Sequence, residues 1–153
     1  MLLQLNHIDK LASLSSKPTV LSHTVLVVDD EPDMLRLVEA ILTEQGYQVT
    51  LAKGAENAIR AFEKSHPRPD LILTDVVMPG MSGPMLIDHL LTIEPHLRVL
   101  FMSGYDDRQV VQRYVVEKGF ALVAKPFTLQ RLGNAVRSVL EGNRQIDTLE
   151  PER

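Results

Sequence analysis

The sequence predicts an α/β fold in which a doubly wound, five-stranded parallel sheet carries helices on both faces. Residues 24–28 and 70–74 are nearly continuous apolar runs, as expected of strands buried on both faces of a parallel sheet. Between such runs, apolar residues recur at helical spacing, and strand-like and helix-like segments alternate five times. This alternation favours a parallel sheet whose strands are joined by right-handed helical crossovers.

The first predicted strand ends in a turn that leads into a helix, Asp29-Asp30-Glu31-Pro32. Pro32 suits the first turn of a helix, where the amide hydrogen that proline lacks is not needed. Gly46 follows the last apolar residue of this helix and predicts its carboxyl end. The predicted buried face of the helix consists of Met34, Leu35, Val38, Ile41 and Leu42.

The rest of the pattern repeats this arrangement, with a loop rich in proline and glycine at residues 78–84. Thr128 is expected to cap the last helix, because its hydroxyl can accept a hydrogen bond from a free amide of the first turn. The later strands are predicted at residues 47–52, 70–74, 97–102 and 120–124. The later helices are predicted from the stripe Ala55, Ala58, Ile59 and Phe62, from residues 85–93, from residues 106–118 with Val110, Val111, Tyr114 and Val115 on one face, and from the stripe Leu129, Leu132, Val136, Val139 and Leu140.

The composition excludes several classes of protein. The 153 residues include no cysteine, which excludes disulfides and thiolate metal sites. The net charge is −4 and there is no basic run, so nucleic-acid binding has no electrostatic support. No apolar stretch approaches the roughly 20 residues of a membrane span, and the N-terminus does not resemble a secretory signal. A cytoplasmic protein is the resulting expectation.

The chain is expected to divide into a leader (residues 1–23), one domain (24–142) and a polar tail (143–153). In the leader, Asn6 is a candidate helix cap, and apolar or small residues follow at helical spacing. Those residues are Ile8, Leu11, Ala12 and Ser15. Two interpretations stay open: a loosely docked or disordered arm, and a short helix that docks on a partner or a second copy. The tail is too short to form another domain. The chain is therefore either a stand-alone domain, which we expect because Met1 opens the leader, or a fragment of a longer protein.

Polar residues follow the predicted strands at the edge where ligands of such sheets bind. Asp29 and Asp30 end the first strand, Asp75 the third, Ser103 the fourth and Lys125 the fifth. Three carboxylates held together repel one another, and a hard cation with oxygen ligands offsets that repulsion. No histidine lies beside these acids in the sequence, which favours Mg²⁺ over softer metals. Mg²⁺ and an ammonium group together would suit a site that holds a phosphoryl group.

Asp75 is the predicted nucleophile of this site. The chain has no cysteine, and no base lies beside Ser103 in the sequence, so a carboxylate remains. Its attack on phosphorus would give a short-lived acyl phosphate, which suits a signal. Simpler roles stay open for single motifs. Asp29 and Asp30 could do no more than cap a helix, and Lys125 could lie in a surface turn. The ordered combination of all these motifs favours the site.

Four motifs, taken in order, resemble the receiver domain of two-component response regulators over about residues 24–142. The motifs are Val27-Val28-Asp29-Asp30-Glu31, Leu71-Ile72-Leu73-Thr74-Asp75-Val76-Val77-Met78-Pro79-Gly80-Met81-Ser82-Gly83, Leu100-Phe101-Met102-Ser103-Gly104-Tyr105 and Lys125-Pro126-Phe127-Thr128. The Ser-Gly-Tyr version is similar to receivers that are attached to, or work with, hybrid sensor histidine kinases. The resemblance implies a flavodoxin-like fold with strand order 2-1-3-4-5. It also implies that any longer parent chain would be a regulator or a hybrid kinase.

The resemblance implies that Asp75 is a phosphoacceptor rather than part of an enzyme active site, with at most self-phosphorylation and self-dephosphorylation. The phosphoryl group would come from a phosphohistidine of a sensor histidine kinase or a histidine phosphotransfer protein. Asp30, Asp75 and the main-chain carbonyl of Val77 would bind Mg²⁺ directly, and Asp29 would act through water. The domain is expected to be a monomer or a phosphorylation-dependent dimer that switches the binding of a downstream protein.

Lys125 and Ser103 would contact phosphoryl oxygens, and the Lys125–Pro126 peptide bond would be cis. One position departs from the family pattern, because Leu122 lies three residues before the lysine, where an aromatic switch residue is usual. The resemblance therefore does not imply that Ser103 is coupled to a rotating ring at this position. The output face, expected at residues 106–118 and 120–124, would then respond in another way.

Three other functions compete with a phosphoacceptor. A Mg²⁺-dependent phosphatase of the haloacid-dehalogenase type would need an acid two residues after the nucleophile, where this chain has Val77. An interaction module that is no longer phosphorylated would not need to retain all of the acids, the serine and the lysine. A dinucleotide-binding domain would need a Gly-x-Gly-x-x-Gly motif after the first strand, and the sequence has none there.

Overall fold

The computed structural model describes residues 23–104 and 107–142. Five parallel strands form one sheet in the order β2-β1-β3-β4-β5, which confirms the predicted fold class and strand order. The strands are β1 (Thr24–Asp29), β2 (Gln48–Lys53), β3 (Leu71–Asp75), β4 (Val99–Ser103) and β5 (Ala121–Ala124). The predicted leader at residues 1–23, except His23, and the predicted tail at 143–153 lie outside the described residues.

Within residues 23–104 and 107–142, four helices connect consecutive strands and a fifth follows β5, as the alternating pattern predicts. They are α1 (Pro32–Glu44), α2 (Ala55–Lys64), α3 (Gly83–Ile93), α4 (Arg108–Val110, continued by the π-helical turn Val111–Val116) and α5 (Leu129–Leu140). Pro32 begins α1, and Gly46 follows it with a φ of 97°, a left-handed conformation that glycine adopts without strain. Thr128 caps α5, since its side chain accepts a hydrogen bond from the amide of Arg131.

Both faces of the sheet are covered, so the inner strands β1, β3 and β4 are buried on both sides, whereas the edge strand β2 is partly exposed. In β1, Leu26 and Val28 pack with α2, α3 and α4, whereas Val25 and Val27 pack with α1 and α5. All four side chains have no exposed surface. The continuous apolar runs therefore follow from the two-sided packing, since no position of the strand faces water.

Several predicted boundaries shift in the structure. β2 begins at Gln48 rather than at residue 47, β4 begins at Val99 rather than at residue 97, and β5 begins at Ala121 rather than at Phe120. Phe120 is apolar because it packs against the core from the loop before β5, not because it pairs in the sheet. The sequence does not distinguish the two cases, because an apolar residue is expected both at the end of a strand and in a loop that packs against the core.

Two predicted helix faces also differ from the structure. Leu129 is 56% exposed, whereas Leu132 and Val136 are fully buried, because Leu129 is the first residue of α5 and lies at the edge of the packed face. Val110 is 37% exposed, whereas Val111 and Val115 are buried. No helix in the described part of the chain is both long and apolar enough to span a bilayer.

Candidate functional site

Three carboxylates converge at the carboxyl edge of the sheet. Asp29 is the last residue of β1, Asp30 follows it, and Asp75 is the last residue of β3. Because β1 and β3 are paired neighbours, their ends meet at one edge. The three side chains each offer an oxygen, and these oxygens lie within 4.8 Å of one another.

The ammonium group of Lys125 lies between two of these acids. Lys125 Nζ is 3.1 Å from Asp29 Oδ2 and 3.4 Å from Asp75 Oδ1. The lysine follows β5, two strands away from β3, and its long side chain spans the intervening end of β4. Burial alone would lower the pKa of Lys125, but the charges of Asp75 and Asp29 outweigh it and raise that pKa. Lys125 is therefore a fixed cation of the site.

In the absence of a bound metal ion, Asp75 ionises less readily than an ordinary aspartate. Burial raises the pKa of Asp75 to about 6, the charge of Lys125 opposes that rise, and the charges of Asp29 and Asp107 add to it. One of its oxygens, Oδ1, accepts a hydrogen bond from the amide of Val76 at 2.9 Å. The residue is 7% exposed, so its carboxylate can be reached from solvent but is only partly hydrated.

Ser103 ends β4 beside this cluster and leaves a buried donor without a partner. Its hydroxyl has no hydrogen-bond partner among the described residues, although the residue has no exposed surface. Its carbonyl accepts a hydrogen bond of 2.8 Å from the amide of Lys125, which ties the ends of β4 and β5 together. A buried unpaired hydroxyl is costly, and a ligand oxygen at this edge would satisfy it.

Asp107 is a residue of the site that the sequence reasoning missed. Its Oδ2 accepts a hydrogen bond of 2.9 Å from the amide of Gly104, the residue after Ser103. Its charge contributes to the raised pKa of Asp75. The available signal was an aspartate just before a helix, which is ordinarily explained as a helix cap.

The remaining predicted features fall around this cluster. Val77 lies in the loop between β3 and α3 with its side chain half exposed, and its role as a main-chain metal ligand stays a prediction. The Lys125–Pro126 bond is cis, as the resemblance implied. Leu122 is buried and lies opposite Phe101 in the sheet, at the position where the family usually has its aromatic switch residue.

Aromatic side chains near Leu122 come from other positions. Tyr114 of α4 stacks on Phe120, with ring centroids 5.5 Å apart and planes at 11°. Phe101 of β4 meets both rings edge-on, at 6.0 and 5.5 Å. The hydroxyl of Tyr114 donates to Asp88 of α3 at 2.6 Å.

The donor set of the acidic cluster fits a hard divalent cation. The candidate ligands are oxygens, and the mutual repulsion of Asp29, Asp30 and Asp75 is only partly offset by one lysine. Mg²⁺ prefers a few carboxylates with retained waters, and it does not need an all-protein cage. The cluster therefore could hold a metal ion of this kind.

The chain matches known proteins along most of its described length. Residues 25–137 match the family model described as a response regulator receiver domain. The Response regulator receiver protein CpdR of Brucella abortus is 31% identical over 117 residues, which cover 76% of this chain and 95% of that protein. The Sensor kinase CckA of the same organism is 35% identical over 122 residues, but these span only 13% of the kinase and 78% of this chain.

Solved structures show the same architecture. The response regulator receiver domain protein from Clostridium thermocellum superposes with a TM-score of 0.73 at 28% identity, over 78% of this chain and 95% of that one. The family match at residues 25–137 therefore covers nearly the whole sheet, including the strand ends that carry the acidic cluster. We conclude that this chain belongs to the response regulator receiver domain family.

Proposed function

We propose that the domain receives a phosphoryl group on Asp75 and that this modification switches the binding of a partner protein. The observation that carries the proposal is the position of Lys125, whose ammonium lies within 3.4 Å of Asp75 beside two further acids. A cation fixed beside a single strand-end carboxylate is suited to hold the negative charge that a phosphoryl group brings. Receiver domains are signalling modules, and the family match supports this role over a hydrolytic one.

The proposed donor is a phosphohistidine of a sensor histidine kinase or of a histidine phosphotransfer protein. Similarity to a protein named as a sensor kinase and to one named as a sporulation initiation phosphotransferase supports such a partner. The domain is proposed to act in the cytoplasm as a monomer or a phosphorylation-dependent dimer.

In the proposed transfer, a carboxylate oxygen of Asp75 attacks the phosphorus of the donor. A P–O bond forms as the P–N bond breaks, and the imidazole leaves with the bonding electron pair and takes up a proton. With a pKa of about 6, Asp75 is mostly ionised at neutral pH, and the charge of Lys125 favours that ionised form. Lys125 would then donate to a phosphoryl oxygen, and the unpaired hydroxyl of Ser103 would donate to another.

Asp29, Asp30 and Asp75 are proposed to hold Mg²⁺, together with the main-chain carbonyl of Val77. The bound ion would supply positive charge against which the transferred group is stabilised. The acids in turn fix where that charge lies. Asp29 is itself held in place, since its Oδ2 lies beside Lys125 and its Oδ1 accepts a hydrogen bond of 3.0 Å from the amide of Glu31.

The test of phosphorylation is intact-mass measurement after incubation with Mg²⁺ and acetyl phosphate. The wild-type chain should gain one phosphoryl group and Asp75→Asn none. A matched control is Asp70→Asn. Asp70 lies just before the first residue of β3, at the end of the strand opposite to Asp75, and it accepts a hydrogen bond from the amide of Thr24. Since an asparagine oxygen can accept the same bond, Asp70→Asn should be phosphorylated like the wild type.

Other results would point to the competing functions. Turnover of phosphate esters without a lasting adduct would indicate a phosphatase, and the absence of both turnover and adduct would indicate an interaction module. Retention of the adduct in Asp75→Asn would move the acceptor to another residue and reject the proposal.

The metal part of the proposal has its own test, which does not depend on a phosphodonor. Mg²⁺ should raise the urea midpoint of the wild-type chain, because a ligand that binds only the folded state stabilises it. Asp30→Asn should lose most of this increase, whereas Asp70→Asn should keep it. An equal response in both variants would contradict the assigned ligands.

A further inference from the structure

The end of β4 presents two neighbouring hydrogen-bond donors in different states. The hydroxyl of Ser103 is buried and has no partner among the described residues. The amide of the next residue, Gly104, is already bonded to the carboxylate of Asp107, at 2.9 Å. An anion within the chain therefore occupies one of the two donors that follow this strand.

Asp107 does not act as an ordinary helix cap. It is the residue before Arg108, where α4 begins, yet its side chain makes no capping hydrogen bond to that helix. Its carboxylate is instead directed back to the end of β4, and its own amide donates to the carbonyl of Gly104 at 3.2 Å. Since a capping role would use the first amides of the helix, the observed contact needs another explanation.

The Asp107 carboxylate also lies at the sheet edge that carries the acceptor carboxylate. It bonds to the amide that follows Ser103, the last residue of β4, and β4 pairs with β3, whose last residue is Asp75. A phosphoryl group on Asp75 would repel this carboxylate, because it carries about two negative charges and three acceptor oxygens. One amide hydrogen can bond well to only one of two competing anions.

We propose that Asp107 is a positioning residue that holds the Gly104 amide in the resting domain and opposes a phosphoryl group on Asp75. This inference rests on the proposed function. Phosphorylation of Asp75 then repels the Asp107 carboxylate and frees the Gly104 amide. Because Asp107 directly precedes α4, this electrostatic repulsion acts on the start of that helix. Such a route needs no rotating ring, which agrees with the buried leucine at position 122.

The experiment compares Asp107→Asn with Asp107→Ala. The asparagine oxygen can still accept the bond from Gly104, but the variant has lost the charge. The probe is beryllofluoride with Mg²⁺, titrated into the full chain and followed by ¹⁵N NMR of the Gly104 amide. We expect half-saturation at about three- to tenfold lower beryllofluoride concentration in both variants, because the negative charge that opposes the bound group has been removed.

A second readout is the acyl phosphate itself. With acetyl phosphate, Asp107→Asn should show a larger phosphorylated fraction at steady state by intact mass, and its urea midpoint should match that of the wild type. The difference from the wild type should shrink at high ionic strength, because salt screens interactions between charges. Asp70→Asn, an aspartate near the opposite end of β3, should bind beryllofluoride like the wild type.

The outcomes separate the two proposals. Wild-type affinity in Asp107→Asn, combined with weaker binding or lower stability only in Asp107→Ala, would mean that Asp107 is merely structural and would overturn the inference. In that case phosphorylation of the wild type at Asp75 would leave the proposed function intact. A wild-type chain that takes up neither probe would overturn both.

Discussion

Gly83 packs directly against the main chain of Asp75. A β-carbon at position 83 would overlap the Asp75 carbonyl oxygen and would lie 3.1 Å from both the Asp75 carbonyl carbon and the α-carbon of Val76. The amide of Gly83 also donates to the carbonyl of Val76 at 2.8 Å. The first turn of α3 therefore fixes the end of the strand that carries the proposed phosphoacceptor.

Gly83→Ala should destabilise the domain, although alanine is a better helix former than glycine by about 1 kcal/mol. The added methyl group would meet backbone, which cannot rotate away, so we expect a loss of roughly 1–3 kcal/mol. Urea unfolding would measure it. Gly133→Ala is the matched control, because the three atoms nearest to a β-carbon at this position of α5 all belong to the end of the exposed, flexible Gln45 side chain. That variant should be neutral or slightly stabilised, and an equal loss in both would contradict the close approach to Asp75.

Asp75→Asn should stabilise the Mg²⁺-free domain at neutral pH. A rise in the pKa of Asp75 from 3.8 to about 6 means that ionisation of this carboxyl costs folding free energy. At roughly 1.4 kcal/mol per pKa unit the upper limit is about 3 kcal/mol, and relaxation of the site would reduce it. Urea unfolding at pH 7.5 with a chelator should therefore show a higher midpoint for Asp75→Asn than for the wild type.

The sign of this effect can be checked by lowering the pH. Because the folded-state pKa of Asp75 is raised, its contribution to stability is fully present below pH 3.8 and is lost as the pH rises through about 6. The advantage of Asp75→Asn should accordingly shrink between pH 7.5 and pH 4. Mg²⁺ at pH 7.5 should reverse it by stabilising only the wild type. A constant difference at all pH values would exclude ionisation of Asp75 as its cause.

Lys125→Met should destabilise the domain by about 2–4 kcal/mol at pH 7.5, since it leaves two buried carboxylates without their cation. Asp29 has no exposed surface, and Asp75 loses the charge that opposes the rise in its pKa. The loss should decrease at lower pH, where Asp75 is protonated. The control is Lys118→Met, because the Lys118–Asp88 pair is 3.7 Å apart and half exposed. That variant should lose less than about 1 kcal/mol.

The fold and the acidic edge of the site could be predicted because their signals are local. Strands buried on both faces require unbroken apolar runs, and the acids and lysine follow those runs directly. The parallel order then brings residues such as Asp29 and Asp75 together without further information.

Features that depend on side-chain direction could not be predicted in the same way. An aspartate before a helix looks the same in sequence whether it caps that helix or, as Asp107 does, bonds back to the preceding strand. Leu129 satisfies the helical spacing of α5 yet is exposed, because spacing does not show where the covering sheet ends. The close approach of Gly83 to Asp75 likewise depends on how two elements pack, which no local pattern encodes.

Tyr114→Phe should weaken the attachment of α4 to α3. The Tyr114 hydroxyl donates to Asp88 Oδ1 at 2.6 Å, and the phenylalanine ring would keep the stacking on Phe120 while losing that bond. We expect a loss of about 0.5–1.5 kcal/mol by urea unfolding. Tyr114→Leu should lose more, because the aromatic contacts with Phe120 and Phe101 also disappear.

The control for the lost hydroxyl is Tyr47→Phe. Tyr47 is half-buried, and its hydroxyl makes no hydrogen bond to another described residue. Its replacement should leave the free energy of unfolding nearly unchanged, so the difference between the two variants isolates the bond between the helices. If Tyr114→Phe unfolds at the wild-type urea concentration, the hydroxyl contact with Asp88 adds nothing to the attachment of α4. The aromatic stack on Phe120 and the buried side chains of Val111 and Val115 would then hold the helix in place.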